Sequence, residues 1–317
     1  MTPNKSDHLK IGLAQIAPVW LNKAKTTEKM ISYIKEAKKE SCDLVVFGEA
    51  ILPGYPFWVE LTDGARFNSE VQKEIWAHYL DQSVNVGAGD LEPLRKKASE
   101  LGIGMVFGSI ELGADRGGHS VYCTLFYIDA YGNIKNNHRK LMPTYEERLV
   151  WAQGDGHGLQ VFPIEKFSLG ALNCWENWMP LARTALYAKG EDLHVALWPG
   201  NKRNTENLTR FIAEESRSYV VSVCGIFRKE DVNMEVPHAD LILENCPDFC
   251  ANGGSAVAAP DGSWLLEPQV GSEGLYCVEI DHNKVRQERQ NFDPTGHYSR
   301  PDVLQLKLNS ERQSTII

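Results

Sequence analysis

The chain has 317 residues, 43% of them hydrophobic and 24% charged, the balance of an ordinary globular protein with a large core to bury. A formal net charge of -9, with no long Lys or Arg block, speaks against nucleic acid as a partner. No apolar run is long enough to span a bilayer, and the polar first ten residues, with Lys5, Asp7, His8 and Lys10, do not read as a secretory signal. The expected compartment is the cytoplasm, where the scattered cysteines 42, 123, 174, 224, 246, 250 and 277 fit reduced thiols better than a disulfide framework.

In chain order, residues 11–16 alternate apolar side chains at period two, which predicts a strand. Met30, Ile31, Ile34 and Ala37 fall on one helical face. Leu44 to Phe47 is apolar on both faces, as expected of a strand in a covered sheet. These three segments make a β-α-β unit. The pattern repeats with Leu91, Leu94, Ala98 and Leu101 on a helical face and a strand over 103–107. After residue 168 it returns as strands over 169–173, 193–198 and 219–223, separated by helices over about 180–189 and 208–217. Pro180 suits a first helical turn and Gly190 the position just past a last one. Two hairpins are predicted, one turning at 129–132 and one at 260–262. Alternation of this kind predicts an α/β domain in which helices cover a mixed sheet. From about residue 282 periodicity is lost, and the remainder reads as a tail laid over the domain or over a neighbouring subunit.

Cys174 falls where a buried strand gives way to a helix, flanked by Asn173 and Glu176. That location presents a side chain at the strand's edge near helix N-terminal amides, which favour a thiolate; a packed core cysteine is the alternative. Glu49 ends another buried strand, just before Leu52-Pro53-Gly54-Tyr55-Pro56, and is either a helix cap or a base whose partial desolvation would raise its pKa toward neutrality. Lys140 and Glu147 lie seven residues apart across Pro143, and a loop could bring them to one site, where an ammonium would stabilise developing charge. Tyr55 and Trp175 are candidates to line a substrate pocket, with core or interface packing as the alternative. His238, Cys246 and Cys250 could begin a zinc site, but no second cysteine pair follows. His157 and His194 read as structural.

Taken together, Val46 to Ala50 with Leu52 to Pro56, His138 to Leu141 with Pro143-Thr144, Glu147-Arg148, Trp151 and Gly154 to Gly156, and Asn173 to Asn177 resemble the nitrilase superfamily, and within it the nitrilase branch. Trp198-Pro199-Gly200, Gly253 to Ala256 with Pro260 to Gly262, and Asp293 to Asp302 extend the resemblance over nearly the whole chain. It implies a four-layer α-β-β-α sandwich over residues 9–282, with a tail over 283–317 that contributes to subunit contacts. It also implies a Glu-Lys-Cys triad carried by Glu49, Lys140 and Cys174, with Glu147, in preference to the adjacent Glu146, as a second glutamate. A homodimer or larger homo-oligomer, and no metal or organic cofactor, are further implications.

The reaction implied is hydrolysis of a small-molecule nitrile to a carboxylic acid and ammonia through a Cys174 thioimidate. An amidase or carbamoylase of the same superfamily is the nearest rival. A catalytically silent binding protein is the rival from another class.

Overall fold

The computed structural model describes residues 5–315, so the first four residues of the polar N-terminal segment and the last two of the tail lie outside the described residues. The strands are β1 (His8–Gln15), β2 (Leu44–Phe47), β3 (Gly104–Leu112), β4 (Val121–Ile128), β5 (Ile134–Arg139), β6 (Phe162–Ile164), β7 (Phe167–Asn173), β8 (Leu193–Trp198), β9 (Tyr219–Cys224), β10 (Ile226–Arg228), β11 (Phe249–Ala258), β12 (Trp264–Val270) and β13 (Gly274–Asp281). The helices are α1 (Lys23–Lys39), α2 (Trp58–Leu61), α3 (Glu70–Gln82), α4 (Glu92–Leu101), α5 (Pro180–Tyr187), α6 (Lys202–Thr205), α7 (Leu208–Ser216), α8 (Ala239–Asn245) and α9 (His282–Arg289).

The strands form two sheets, one of six strands in the order β13-β1-β2-β3-β4-β5 and one of seven in the order β10-β11-β9-β8-β7-β6 with β12 beside β11. Within the first, β1, β2 and β3 run parallel; within the second, β7, β8 and β9 do. The inner faces meet in an apolar layer in which Leu9, Ile11, Leu13, Leu44, Val46 and Val106 pack against Leu169, Val195, Leu197, Val221 and Val257. Each such fully buried aliphatic side chain stabilises the fold by about 1.5–3 kcal/mol relative to exposure. Met30, Ile34 and Ala37 of α1 and Leu94 and Ala98 of α4 cover the outer face of the first sheet. Ala182, Ala185 and Leu186 of α5, and Leu208, Ile212 and Ala213 of α7, cover that of the second. The result is a helix-sheet-sheet-helix sandwich. Among the described residues no helix is long and apolar enough to cross a membrane.

Besides the short elements α2, α6, α8, β6 and β10, three longer ones lie outside the expected pattern. Helix α3 has only Ile75 and Tyr79 fully buried, in a cluster with Trp20, Trp58 and the β3 and β4 residues Ile110 and Val121, so it lacks a full apolar stripe. Strand β13 pairs antiparallel with β1 along its whole length. Helix α9 shows that regular structure continues to Arg289 although the apolar periodicity is lost from about 282. Its one buried residue is Val285, and it is held by polar contacts: the Asp281 side chain accepts from Asn283 N, His282 Nε2 reaches Asp192 Oδ2 at 2.8 Å, and Arg289 donates to the Glu191 carbonyl. Beyond it the tail returns across its own domain, where Arg312 meets Asp155 and the Asn137 carbonyl.

The parallel strands β2, β7 and β8 end at the same side of the sandwich. There the two sheets touch: Glu49 N donates to the Trp198 carbonyl at 3.1 Å. Gly48 permits this, because a Cβ on it would stand 2.7 Å from Gly225 N and 2.9 Å from Trp198 O.

Candidate active site

Four polar side chains, each at most 3% exposed, converge where the sheets meet: Glu49, Lys140, Glu147 and Cys174. Glu49 follows β2 directly. Lys140 follows β5 and is aimed by two backbone bonds, its own N–H to the Cys123 carbonyl and its carbonyl from Gly154 N, both 2.8 Å. Glu147 sits in a short 3-10 turn, Tyr145–Leu149, whose capping box returns its carboxylate to Thr144 N at 2.6 Å. Cys174 opens a second such turn, Cys174–Trp178, with φ of +43°, a left-handed conformation that tertiary contacts must hold for a residue with a Cβ.

The ammonium of Lys140 lies between the two carboxylates, 2.9 Å from Glu49 Oε1 and 2.7 Å from Glu147 Oε2. The remaining oxygens of these glutamates differ. Glu147 Oε1 accepts from the Tyr55 hydroxyl at 2.8 Å, so both oxygens of Glu147 are engaged. Glu49 Oε2 is buried and has no hydrogen-bond partner among the described residues. The Cys174 sulfur lies within 4.8 Å of both carboxylates. Glu49 is thus the carboxylate with a free acceptor beside the thiol, and Glu147 the one that fixes the lysine. These three donors could also hold a metal ion, but the ammonium already fills the cation position between the carboxylates.

Burial raises the Glu49 carboxyl to about 7, against the opposing pull of Lys140. Burial works against the Lys140 charge too, but Glu147 and Glu49 outweigh it and hold the ammonium well above its usual range. For Cys174, burial and then the negative Glu49 push the thiol well above its usual range, and Lys140 offsets this only in part. The expected pull of helix amides toward a thiolate is outweighed here: the turn after Cys174 is short, and desolvation dominates. The resting thiol is therefore neutral and lies beside a carboxyl that titrates near neutrality.

Above these groups opens a pocket of about 530 Å³ lined by Tyr55, Phe57, Thr144, Glu146, Glu147, Cys174 and Trp175, within the range of small-molecule sites. Trp175 is half exposed on its wall. Tyr55 does more than line the pocket, since its hydroxyl also reaches Glu146 at 3.0 Å. Glu146 has no bond to Lys140. The composition of the rim, with Glu60, Arg148, Asn201 and Arg203, was not evident from sequence, because these residues come from separate loops and short helices. Cys123, 3.5 Å from Glu49 Oε1, was also missed; it lies in a fully buried strand where nothing marks one cysteine from its neighbours. The zinc reading does not hold. Cys246 and Cys250 have sulfurs 3.6 Å apart, but His238 Nε2 is engaged by Glu74, and these three do not form a donor cluster. His194 is structural in its contacts, bridging Glu191 and Asn177.

A buried lysine-carboxylate pair beside a cysteine at a strand end, on a helix-covered double sheet, is an arrangement for attack on an electrophilic carbon. The carbon-nitrogen hydrolase family model matches residues 10–290, and the chain belongs to that family. Within it the resemblance lies with nitrilases. Nitrilase 2 of Arabidopsis thaliana is 34% identical over 307 residues, covering 96% of this chain and 89% of its own. The aliphatic nitrilase of Sinorhizobium fredii (strain HH103) is 32% identical over 314 residues, covering 97% and 98%. In fold, the carbon-nitrogen hydrolase from Helicobacter pylori G27 superposes with a TM-score of 0.68 at 17% identity, covering 93% of this chain and 96% of its own.

Proposed function

We propose that the protein is a nitrilase that converts a small-molecule nitrile to the carboxylic acid and ammonia, with Cys174, Glu49, Lys140 and Glu147 as its catalytic residues. The observation that carries this reading is the free Oε2 of a Glu49 poised near neutrality beside a neutral, buried thiol. Glu49 takes the Cys174 proton as the sulfur adds to the nitrile carbon, giving a thioimidate. Lys140, fixed by Glu147, stabilises charge on the former nitrile nitrogen and gives it a proton, which it recovers from Glu49 across their 2.9 Å contact, so that Glu49 is again a carboxylate. Water, deprotonated by Glu49, then adds to the same carbon; ammonia leaves, and a second water releases the acid. Tyr55 and Trp175 contact the substrate's organic group.

The test is ammonia release from aromatic, arylaliphatic and aliphatic nitriles, each beside its amide. Nitrile turnover supports the proposal, and turnover of amides alone moves the protein to an amidase role. The pH profile is a second check. Glu49 accepts a proton only in its carboxylate form, so below about 7 kcat/KM should fall by about tenfold per pH unit. A flat profile between pH 5 and 7 would remove Glu49 as the base.

We also propose that the protein acts as a homo-oligomer in the cytoplasm. Trp178, Leu181 and Phe211 on the α5 and α7 side, and Val303 and Leu304 in the tail, are large apolar side chains left exposed. A second copy of the chain is the partner that such faces fit. Leu181→Glu combined with Leu304→Glu should lower the sedimentation coefficient of the native protein. A wild-type chain that sediments as a monomer would overturn this. The cysteines, all free, suit a reducing compartment.

A further inference from the structure

Glu176 lies two residues past the nucleophile, fully buried, and the chemistry above makes no use of it. Its Oε1 accepts from Leu141 N at 2.6 Å and its Oε2 from Asn173 N at 2.9 Å. The ring N–H of His138 Nε2 reaches both oxygens, at 3.0 and 3.1 Å. These donors belong to two chain segments from different sheets. His138 and Leu141 bracket Lys140, whereas Asn173 immediately precedes Cys174. One carboxylate therefore ties the lysine's segment to the strained turn of the cysteine. Burial works against its charge, but His138 and the two amides outweigh it and hold the carboxyl below its ordinary range. His138 is itself fixed, because Gly158 packs against its ring so closely that any Cβ there would collide with it.

We propose that Glu176 and His138 are positioning residues that set the gap between Lys140 and the carbon attached to Cys174, and through it the way the tetrahedral intermediate breaks. The product part of this proposal rests on the nitrilase reading. Addition of water to the thioimidate gives a carbon bearing OH, NH2 and the Cys174 sulfur. In one outcome the nitrogen gains a proton from Lys140, the hydroxyl gives one to Glu49, the C–N bond breaks, and ammonia leaves a thioester. Glu49 then returns its proton to Lys140 across their hydrogen bond. In the other outcome the C–S bond breaks, the hydroxyl proton passes to the departing sulfur, and an amide leaves a free Cys174 thiol. Only the first needs the ammonium within reach of the nitrogen, so a lysine displaced from the turn of Cys174 favours the amide.

Two variants test this. Glu176→Gln turns one acceptor into an NH2 group that must face the N–H of Leu141 or Asn173, donor against donor. His138→Gln keeps one N–H donor and removes the ring. Both are assayed on one nitrile for kcat, KM, acid and amide, with thermal melting as a check of folding. The expected result is a fall in kcat of roughly 10- to 100-fold, as for other residues that orient catalytic groups, with little change in KM. The amide-to-acid ratio should rise by about tenfold, equivalent to about 1.4 kcal/mol between the two barriers. Loss of structure alone lowers the number of active molecules and leaves that ratio unchanged. Folded variants with the wild-type ratio would therefore overturn the proposal. Should Glu176→Gln not fold, His138→Gln decides alone. If the wild type turns over amides and no nitrile, the nitrilase reading fails, and the positioning role is then decided by kcat on the amide, where an unchanged kcat in His138→Gln overturns it.

Discussion

Cys174→Ala is expected to lower turnover by about 10⁴-fold or more, the scale on which loss of a covalent nucleophile is felt, and to abolish substrate-dependent adducts in the mass spectrum of the intact protein. The loss should be chemical. Cys174 is almost fully buried but small, and its truncation removes one sulfur at the floor of an open pocket, which costs only about 1 kcal/mol of stability. Near-wild-type unfolding by urea together with absent turnover is thus the predicted pair of results. A variant that retained a substantial fraction of its activity would mean that water is activated directly, and the covalent route would fall.

Lys140→Met should affect stability as well as rate. In the wild type the ammonium is the counter-charge of two buried carboxylates; without it Glu49 and Glu147 face each other in a desolvated place. Removing one member of such a cluster costs about 3–5 kcal/mol. Glu49, already raised to about 7 with the lysine present, would rise further and be protonated at neutral pH, so the base is lost together with the cation. Urea unfolding should shift to lower concentration, and nitrile turnover should fall below detection. Wild-type stability in this variant would mean that the two carboxylates already share a proton and that the lysine is not needed for charge balance.

The parallel β-α-β units were legible in the sequence because each strand is buried on both faces and each helix shows one apolar stripe, as in Leu44 to Phe47 and in Leu94 and Ala98. Helix α9 was not, because a helix with one buried residue, held by His282, Arg289 and an Asp281 cap, leaves no periodic trace. At the site, Glu49 and Cys174 stood out as polar residues ending apolar runs. The meeting of Lys140 with Glu147 depends on a single turn capped by Thr144, and the spacing of the two residues allowed that meeting without requiring it. The choice between Glu146 and Glu147 is a matter of which way one turn faces. The Glu176 tie was less visible still, since its donors lie 35 to 38 positions away or in the backbone.

The bonds that fix the reacting groups come from strand ends and the turns tied to them, while much of the pocket rim, Phe57, Glu60, Asn201, Arg203 and Cys250, has no bond to any of them. Tyr55, bonded to Glu147, and Trp175, next to Cys174, tie part of the pocket wall to the reacting groups, but these rim residues stand apart from them. The rim can change residue by residue, in loops that tolerate change, without disturbing the carboxylates, the ammonium or the thiol. One unaltered reaction centre could in this way be fitted to nitriles of quite different size and polarity.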